Sequence, residues 1–419
     1  MKKSLLAVAA IGAFASAAQA QSSVTVYGIL DVGFNGTTQH TGSTASNGTQ
    51  FGESAEQTSR LGFKGTEDLG GGRQAMFTAE FQLFPSDTML SGNGQTGLQN
   101  RQTFVGLHQN GVGAATIGTQ YTGIFNAGAV TDPGQYNNVA GDLIYAVGGQ
   151  SGTNQTITGV DGNGGSNVGF TTRTANTLFL QSDSFAGFRV NAAYTLNDSN
   201  TNQVTTTTAG ATTGGINNTN GWGLGADYTW NKLFVTGQYQ AYNQNTVATG
   251  SVAVAGFTGA GNAYPAITNS NGASNLAVSG NAALNVRDNQ GYVGATYDFG
   301  ILKAYAQWVE RKVTDQNSSL LYYKRQAEQI GVRSYITPTI EAWGSAGLGR
   351  VSAYGSNQPT ANFNGWQLGS NYWLSKRTNL YAIYGNVNQS TAAITSSTPG
   401  AANINQNAQQ YAVGVRHTF

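Results

Sequence analysis

The chain has 419 residues, of which only 9% are charged, 58 are glycine and none is cysteine. Its 20 basic and 19 acidic residues exclude the strong charge excess of proteins that bind nucleic acid or polyanionic surfaces. The missing thiols exclude disulfides and thiolate zinc, and three histidines far apart in sequence, His40, His108 and His417, argue against a His-based metal site.

The first element is a leader. Lys2 and Lys3 precede the apolar run LLAVAAIGAFA, and Ala18 and Ala20 flank Gln19. This is the pattern of a cleaved signal peptide, with an apolar run too short to span a bilayer as a helix. Residues 1–20 are therefore set aside, and one domain is assigned to 21–419. Loss of Lys2 and Lys3 leaves 18 basic and 19 acidic residues, a charge of −1. No later stretch approaches the roughly 20 apolar residues of a spanning helix.

From Ser23 onward the period is two. SVTVYGILDVGF (Ser23–Phe34) is the first predicted strand. RQAMFTAEFQL then sets Ala75, Phe77, Ala79, Phe81 and Leu83 against Gln74, Met76, Thr78, Glu80 and Gln82. FRVNAAYTL opposes Phe188, Val190 and Tyr194 to Arg189, Asn191 and Thr195, and GWGLGADYTW puts Trp222, Leu224, Tyr228 and Trp230 on one face. The final run alternates Tyr411, Val413, Val415, His417 and Phe419 with small or polar residues. Seven tight turns separate paired runs: Glu67–Gly72, Asn110–Gly113, Ser184–Gly187, Asn231–Lys232, Gly300–Ile301, Thr337–Thr339 and Ser375–Lys376. Sixteen strands are predicted, with eight patternless segments of roughly ten to fifty residues between hairpins.

Short turns at one end and long segments at the other suit a transmembrane β-barrel, apolar outside and polar inside. Aromatic residues near strand ends (Trp222, Tyr228, Trp230, Trp366, Tyr372, Trp373, Phe419) fit interfacial girdles. No backbone group can stay unpaired in lipid, so the last strand must pair with the first. Tyr411 and Phe419 are assigned to that closure. Two runs resist the pattern: Arg101 falls in phase with Val105 and Leu107, and Glu310 with Trp308.

The stretches SSVTVYGILDVGF, SRLGFKGTEDLGGGRQAMFTAEFQL, RQTFVGL, IGTQYTGIFNAG followed by DP, and the terminal YAVGVRHTF resemble the Gram-negative general porins. The likeness is to the trimeric betaproteobacterial type of Burkholderia, Bordetella and Neisseria. It implies a 16-stranded antiparallel barrel, a homotrimer in outer-membrane lipid, and a third external loop folded into the pore. It further implies that the terminal Phe strand is read by the barrel assembly machinery. The function implied is a water-filled diffusion channel for small ions and hydrophilic solutes.

On the resemblance, the third long segment, Tyr121 to about Thr172, is the constriction loop, carrying Asp132, Asp142 and Asp161. The other long segment, Asn243–Val286, has no charged residue. The matching basic wall is Arg60 and Arg101, with Arg173 a looser match. Arg60 is in phase with Lys64 and away from Leu61 and Phe63, which points both to the lumen. An arginine on the lipid face at mid-membrane costs about 2–4 kcal/mol. Mild anion preference is the expectation, partly offset by Asp31 and Glu80. Thr119 in GTQY and the run RTANTLFLQSD depart from the family pattern. A solute-specific channel with a binding site in the pore is the alternative. No cofactor, metal or nucleic acid is expected, and no G-x-S-x-G or Ser–His–Asp arrangement suggests an enzyme.

Overall fold

A computed structural model describes residues 23–41, 44–89, 98–146, 169–206, 212–248, 284–316, 322–354, 361–392 and 404–419. The leader 1–20 and Asp161 lie outside the described residues, as does most of Asn243–Val286. The strands are β1 (Ser23–Thr41), β2 (Thr44–Glu53), β3 (Arg60–Gly70), β4 (Arg73–Gln82), β5 (Gln99–Gln109) and β6 (Gly113–Tyr121). The helix α1 (Gly123–Thr131) precedes β7 (Arg173–Ser182), β8 (Phe188–Thr206), β9 (Thr212–Trp230), β10 (Leu233–Ala248) and β11 (Leu284–Asp298). The last six are β12 (Lys303–Asp315), β13 (Tyr322–Thr337), β14 (Ile340–Tyr354), β15 (Ala361–Trp373), β16 (Thr378–Ala392) and β17 (Ile404–Thr418).

Neighbouring strands pair antiparallel around a ring that β1 and β17 close. The β2 and β3 segments both lie along β1, one on each half, so they are two parts of a single barrel strand. The result is a closed 16-stranded antiparallel barrel. Between the two parts, residues 54–59 fold inward. Asp31 holds them: its Oδ2 accepts the N–H groups of Glu56 at 2.8 Å and Gln57 at 2.7 Å.

All seven predicted turns fall between paired strands. Gly70, Gly71 and Gly72 take φ of 77°, 63° and 74°, the left-handed values that favour glycine at this tip. The opposite ends reach further than the pattern indicated. Paired strand runs to Thr41 and resumes at Thr44, and β8 and β9 stay paired as far as Thr206 and Thr212. These stretches are rich in Thr, Asn and Gln. A ladder of backbone bonds does not need an apolar face, so hydrophobic alternation cannot report it.

Alternation has the expected sense. Leu224, Trp230, Val413 and Val32 are exposed outward, while Asp31, Asn35, Thr195 and Gln367 are buried inside. Trp373 is a correction to the girdle: it lies next to outward Tyr372 and so faces the lumen, where the Arg416 guanidinium stacks 5.3 Å from its ring.

Both phase conflicts have structural answers. Glu80 pairs with Gln102 while the next residue, Phe81, pairs with Asn100. Arg101 is thus the extra residue of a β-bulge, which turns it inward although Val105 and Leu107 face out. No bulge rescues Glu310. Tyr305, Gln307, Val309, Arg311 and Val313 are buried inward, which leaves Glu310 outside with Trp308.

At the seam, the N–H of Gly28 donates to the Phe419 carbonyl and the N–H of Phe419 to the Gly28 carbonyl, each at 3.1 Å. The Phe419 ring lies over Gly28, where a Cβ would come within 2.3 Å of Cζ; Tyr411 covers Gly36 in the same way. Gly28→Leu is therefore expected to displace the ring and to press on the Arg60 carbonyl, 2.6 Å from the same Cβ, at a cost of about 1–3 kcal/mol. Thermal unfolding followed by gel mobility should show the loss, with partial recovery in Gly28→Leu/Phe419→Ala.

Candidate functional site

The segment after β6 enters the barrel. Thr122 starts it: its Oγ1 accepts the Phe125 N–H at 3.2 Å and donates to the Thr171 carbonyl at 2.7 Å. One hydroxyl thus caps α1 and ties the outgoing chain to the returning chain. The helix lies against β8–β12. Residues 132–140 then run along the inner wall from β13 to β17, and the chain turns back to β13 by Leu143.

What holds this segment is a row of inward glutamines. Gln290 Oε1 accepts the Thr171 N–H at 2.6 Å and Gln329 Oε1 accepts that of Leu143 at 3.0 Å. Gln367 Nε2 donates to the carbonyls of Val139 at 2.5 Å and Ala140 at 2.9 Å, and Gln410 Oε1 accepts the Ala140 N–H at 2.9 Å. All four are buried. Each amide offers a donor and an acceptor, so it can satisfy loop backbone groups that water cannot reach. The sequence reading missed these residues. Their signal is an inward-phase Gln on β11, β13, β15 and β17, legible only after strands are assigned to the wall that faces the loop.

The basic wall gathers at the segment's root. Arg101 Nε donates to Glu80 Oε1 at 2.8 Å and its Nη2 to the Tyr121 hydroxyl at 2.6 Å. Arg60 Nη1 lies 3.9 Å from Glu80 Oε1, and the Tyr27 hydroxyl donates to Glu80 Oε2 at 3.1 Å. Arg173 stacks over the Tyr121 ring at 5.7 Å, and Lys64 over the Tyr27 ring at 5.3 Å. The structure therefore brings Arg60, Arg101 and Arg173 together around Glu80 and Tyr121, with Lys64 an exposed outlier. Tyr121 stacks on Phe125 at 4.0 Å and Tyr136 on Tyr145 at 4.5 Å, so the loop offers these arginines an aromatic face.

Four other lumen arginines each meet a carboxylate of their own. Arg311 meets Asp288 at 2.7 Å, Arg189 meets Asp227 at 2.7 Å, Arg333 meets Glu341 at 2.5 Å, and Arg416 lies 3.4 Å from Glu56. Arg60 and Arg101 instead share the single carboxylate of Glu80, with Arg173 beside them over the Tyr121 ring. Permanent charge on one stretch of wall is what gives a channel a preferred sign of ion.

Asp132 and Asp142 are not set across open lumen from that group, as the sequence reading expected. Asp132 Oδ2 accepts the Tyr136 N–H at 2.8 Å and its Oδ1 accepts from Gln329 at 3.2 Å. Asp142 Oδ1 accepts the N–H groups of Ile144 at 2.8 Å and Tyr145 at 3.0 Å. Both are buried on the wall side, folded over their own backbone as Asx turns. Arg333 and Arg325 reach the neighbouring loop carbonyls of Pro133, at 2.6 Å, and Leu143, at 2.7 Å. Burial pushes both carboxyls up, Asp132 further through its neighbour Asp142, and Asp142 to about 6.

Comparison with known proteins follows the same lines. Residues 7–392 match the sequence profile of the Gram-negative porins. The chain is 27% identical to an outer membrane porin of Bordetella pertussis, along 100% of both chains. It is 46% identical over 92 residues to outer membrane porin protein 32 of Delftia acidovorans, covering 22% of this chain and 25% of that one. Among solved structures, an anion-selective porin from Comamonas acidovorans superposes with a TM-score of 0.63 at 19% identity, covering 95% of this chain and 100% of that one. The trimer form of OmpT from Vibrio cholerae gives 0.58 at 13% identity, covering 95% and 99%.

Proposed function

The chain belongs to the Gram-negative porin family and forms a channel in the outer membrane, and we propose that it conducts anions in preference to cations through a narrowing set by Arg60, Arg101 and Arg173. The observation that carries this reading is that Arg60 and Arg101 share one carboxylate, with Arg173 beside them, where the third segment leaves the wall. Lys64 contributes at the entrance to the narrowing. Asp132 and Asp142 serve chiefly to fix the loop, and Asp161 is assigned to the same segment. Small hydrophilic solutes cross down their own gradients; no cofactor or catalytic group takes part. The working unit is a homotrimer, the leader 1–20 directs export, and the closing strand with Tyr411 and Phe419 is the signal for assembly into the membrane.

The test is single-channel current in a planar bilayer under a KCl gradient. Steps in threes and a reversal potential on the chloride side are the expected result; a potassium-side potential would overturn the anion assignment. The aromatic face beside the arginines favours a second reading, a solute-specific channel. It requires saturable block of the ion current by an anionic solute.

One dependence on pH follows from Asp142. Its carboxyl titrates near 6, so it is ionised at pH 7.5 and neutral at pH 5. Acidification removes a negative charge from the loop, and chloride preference is expected to rise between these values. Asp142→Asn should flatten the profile; a step that survives in that variant would assign the effect elsewhere.

A further inference from the structure

Residues 54–59 stand opposite only Leu30 and Asp31, between the register pairs Val32–Glu53 and Ile29–Arg60. The extra chain folds into the lumen, and Ser54 enters it at a φ of 64°, a value that a residue with a Cβ rarely adopts. Such a segment needs partners for the backbone groups that the strand ladder no longer serves. Asp31 supplies most of them. Besides the two N–H groups on its Oδ2, its carbonyl accepts the Ser54 N–H at 2.9 Å, and its own N–H donates to Ser59 Oγ at 3.0 Å. From across the lumen wall, the Tyr381 hydroxyl donates to Oδ1 at 2.7 Å. Asp31 and Ser59 are fully buried.

The segment touches both sides of the narrowing. Arg60 follows Ser59 directly; its Nε donates to the Thr58 carbonyl at 2.8 Å, while its Nη1 lies 3.9 Å from Glu80. Asn138 of the third segment donates its N–H to the Ala55 carbonyl at 2.9 Å and its Nδ2 to the Ser54 carbonyl at 2.7 Å. A further bond joins Asn138 Nδ2 to Thr58 Oγ1 at 3.2 Å. Ala55 and Val139 share a buried apolar cluster with Tyr381, Trp343 and Ile383. Glu56, in the middle, accepts from Asn379 on β16 at 2.9 Å.

We propose that Asp31 is a positioning residue for ion selection: its carboxylate holds segment 54–59, and through it both the aim of Arg60 and the seat of Asn138 and Val139. Its effect on ion preference rests on the anion-selective reading of the Arg60 wall; its effect on the third segment does not. The proposed role has a sign opposite to that of simple charge. A carboxylate acting only by its field would offset the arginines, so its removal would raise chloride preference. A carboxylate acting as a hub of three hydrogen bonds leaves two buried N–H groups unpaired when it is removed. The segment then shifts, Arg60 loses its aim, and chloride preference falls. Asparagine separates the two roles. Its amide can turn its oxygen to the two N–H groups and its NH2 to the Tyr381 oxygen while carrying no charge.

The experiment compares wild type, Asp31→Ala, Asp31→Asn, Asn138→Ala and Arg60→Ser in planar bilayers under a KCl gradient, each as a heat-modifiable, folded barrel. Asp31→Ala is expected to lower the chloride-to-potassium permeability ratio at least about threefold and to raise open-channel noise. Asp31→Asn should restore both toward wild type. Asn138→Ala should raise the noise alone, since Arg60 keeps its hold on Thr58. A chloride preference that rises in both Asp31 variants would make Asp31 a field charge and overturn the proposal. Wild-type ratio and noise in Asp31→Ala would overturn it as well. Should Asp31→Ala yield no folded barrel, Ser59→Ala severs the link to Asp31 next to Arg60, and an unchanged ratio there is equally fatal. If Arg60→Ser leaves the ratio unchanged, the anion reading of this wall fails by itself. The noise of Asp31→Ala then decides: raised noise supports the positioning role, and wild-type noise ends it.

Discussion

Arg60→Ser/Arg101→Ser is expected to abolish the chloride preference of the channel. The change removes both guanidiniums that share Glu80 and leaves that carboxylate in place. A unit charge about 5 Å from a passing ion is worth roughly 0.8 kcal/mol even at the dielectric of water, and about 3 kcal/mol at an effective value near 20. Two charges therefore change the chloride-to-potassium permeability ratio by more than about tenfold. Arg101→Ser also strands Glu80, which is buried with Arg101 as its 2.8 Å partner. Adding Glu80→Gln separates the two effects. The triple variant should regain part of the chloride preference, because the Glu80 carboxylate is gone while Arg173 remains. A ratio unchanged in the double variant would move the selectivity filter away from this wall. High salt should blunt every difference, since screening at 1 M acts within about 3 Å.

Gln329→Ala/Gln367→Ala is expected to free the third segment from the wall. The first change orphans the Leu143 N–H and a bond to Asp132, and the second orphans the carbonyls of Val139 and Ala140. A buried backbone group without a partner costs about 1–3 kcal/mol. The segment escapes that cost by leaving the wall for water, where every group finds a partner. Conductance and open-channel noise should both rise, while the barrel, whose ladder is untouched, stays folded. Unchanged noise would mean that α1 and the Thr122 tie suffice to hold the segment.

The barrel was legible because its outer wall must be apolar and its turns must be short. Runs such as Trp222–Trp230 meet that demand on every second residue. Where the chain leaves the bilayer the demand lapses, and β1 beyond Phe34 or β9 before Trp222 carries no hydrophobic signal although its backbone stays paired. Arg101 shows a second limit. Its residue type marked it for the lumen, its phase denied it, and only the register of β4 against β5 settles the conflict. Arg60, Arg101 and Arg173 were named together from the sequence and lie together in the structure, whereas the glutamine row was not named. Gln is common in this chain, and its role depends on which strands face the loop. Asp132 and Asp142 were chosen for charge, yet each sits two to four residues before the amides it binds. That local pattern was present in DPGQY and GDLIY.

The seam between β1 and β17 fixes an order of events. Hairpins such as β9–β10 join residues that are neighbours in sequence, but Gly28 meets Phe419 only when the whole chain has been gathered. Closing a loop of that length costs roughly 3 kcal/mol more in chain entropy than closing a ten-residue hairpin. Until it closes, β1 from Ile29 to Thr41 presents bare donors and acceptors along the edge reserved for β17, a template for pairing with any other strand nearby. Its N-terminal half has β3 to bond, and its far half has β2, but neither covers that edge. Assembly is thus slowest where it is most exposed to error, and the cell must shelter one strand for as long as the rest take to arrive.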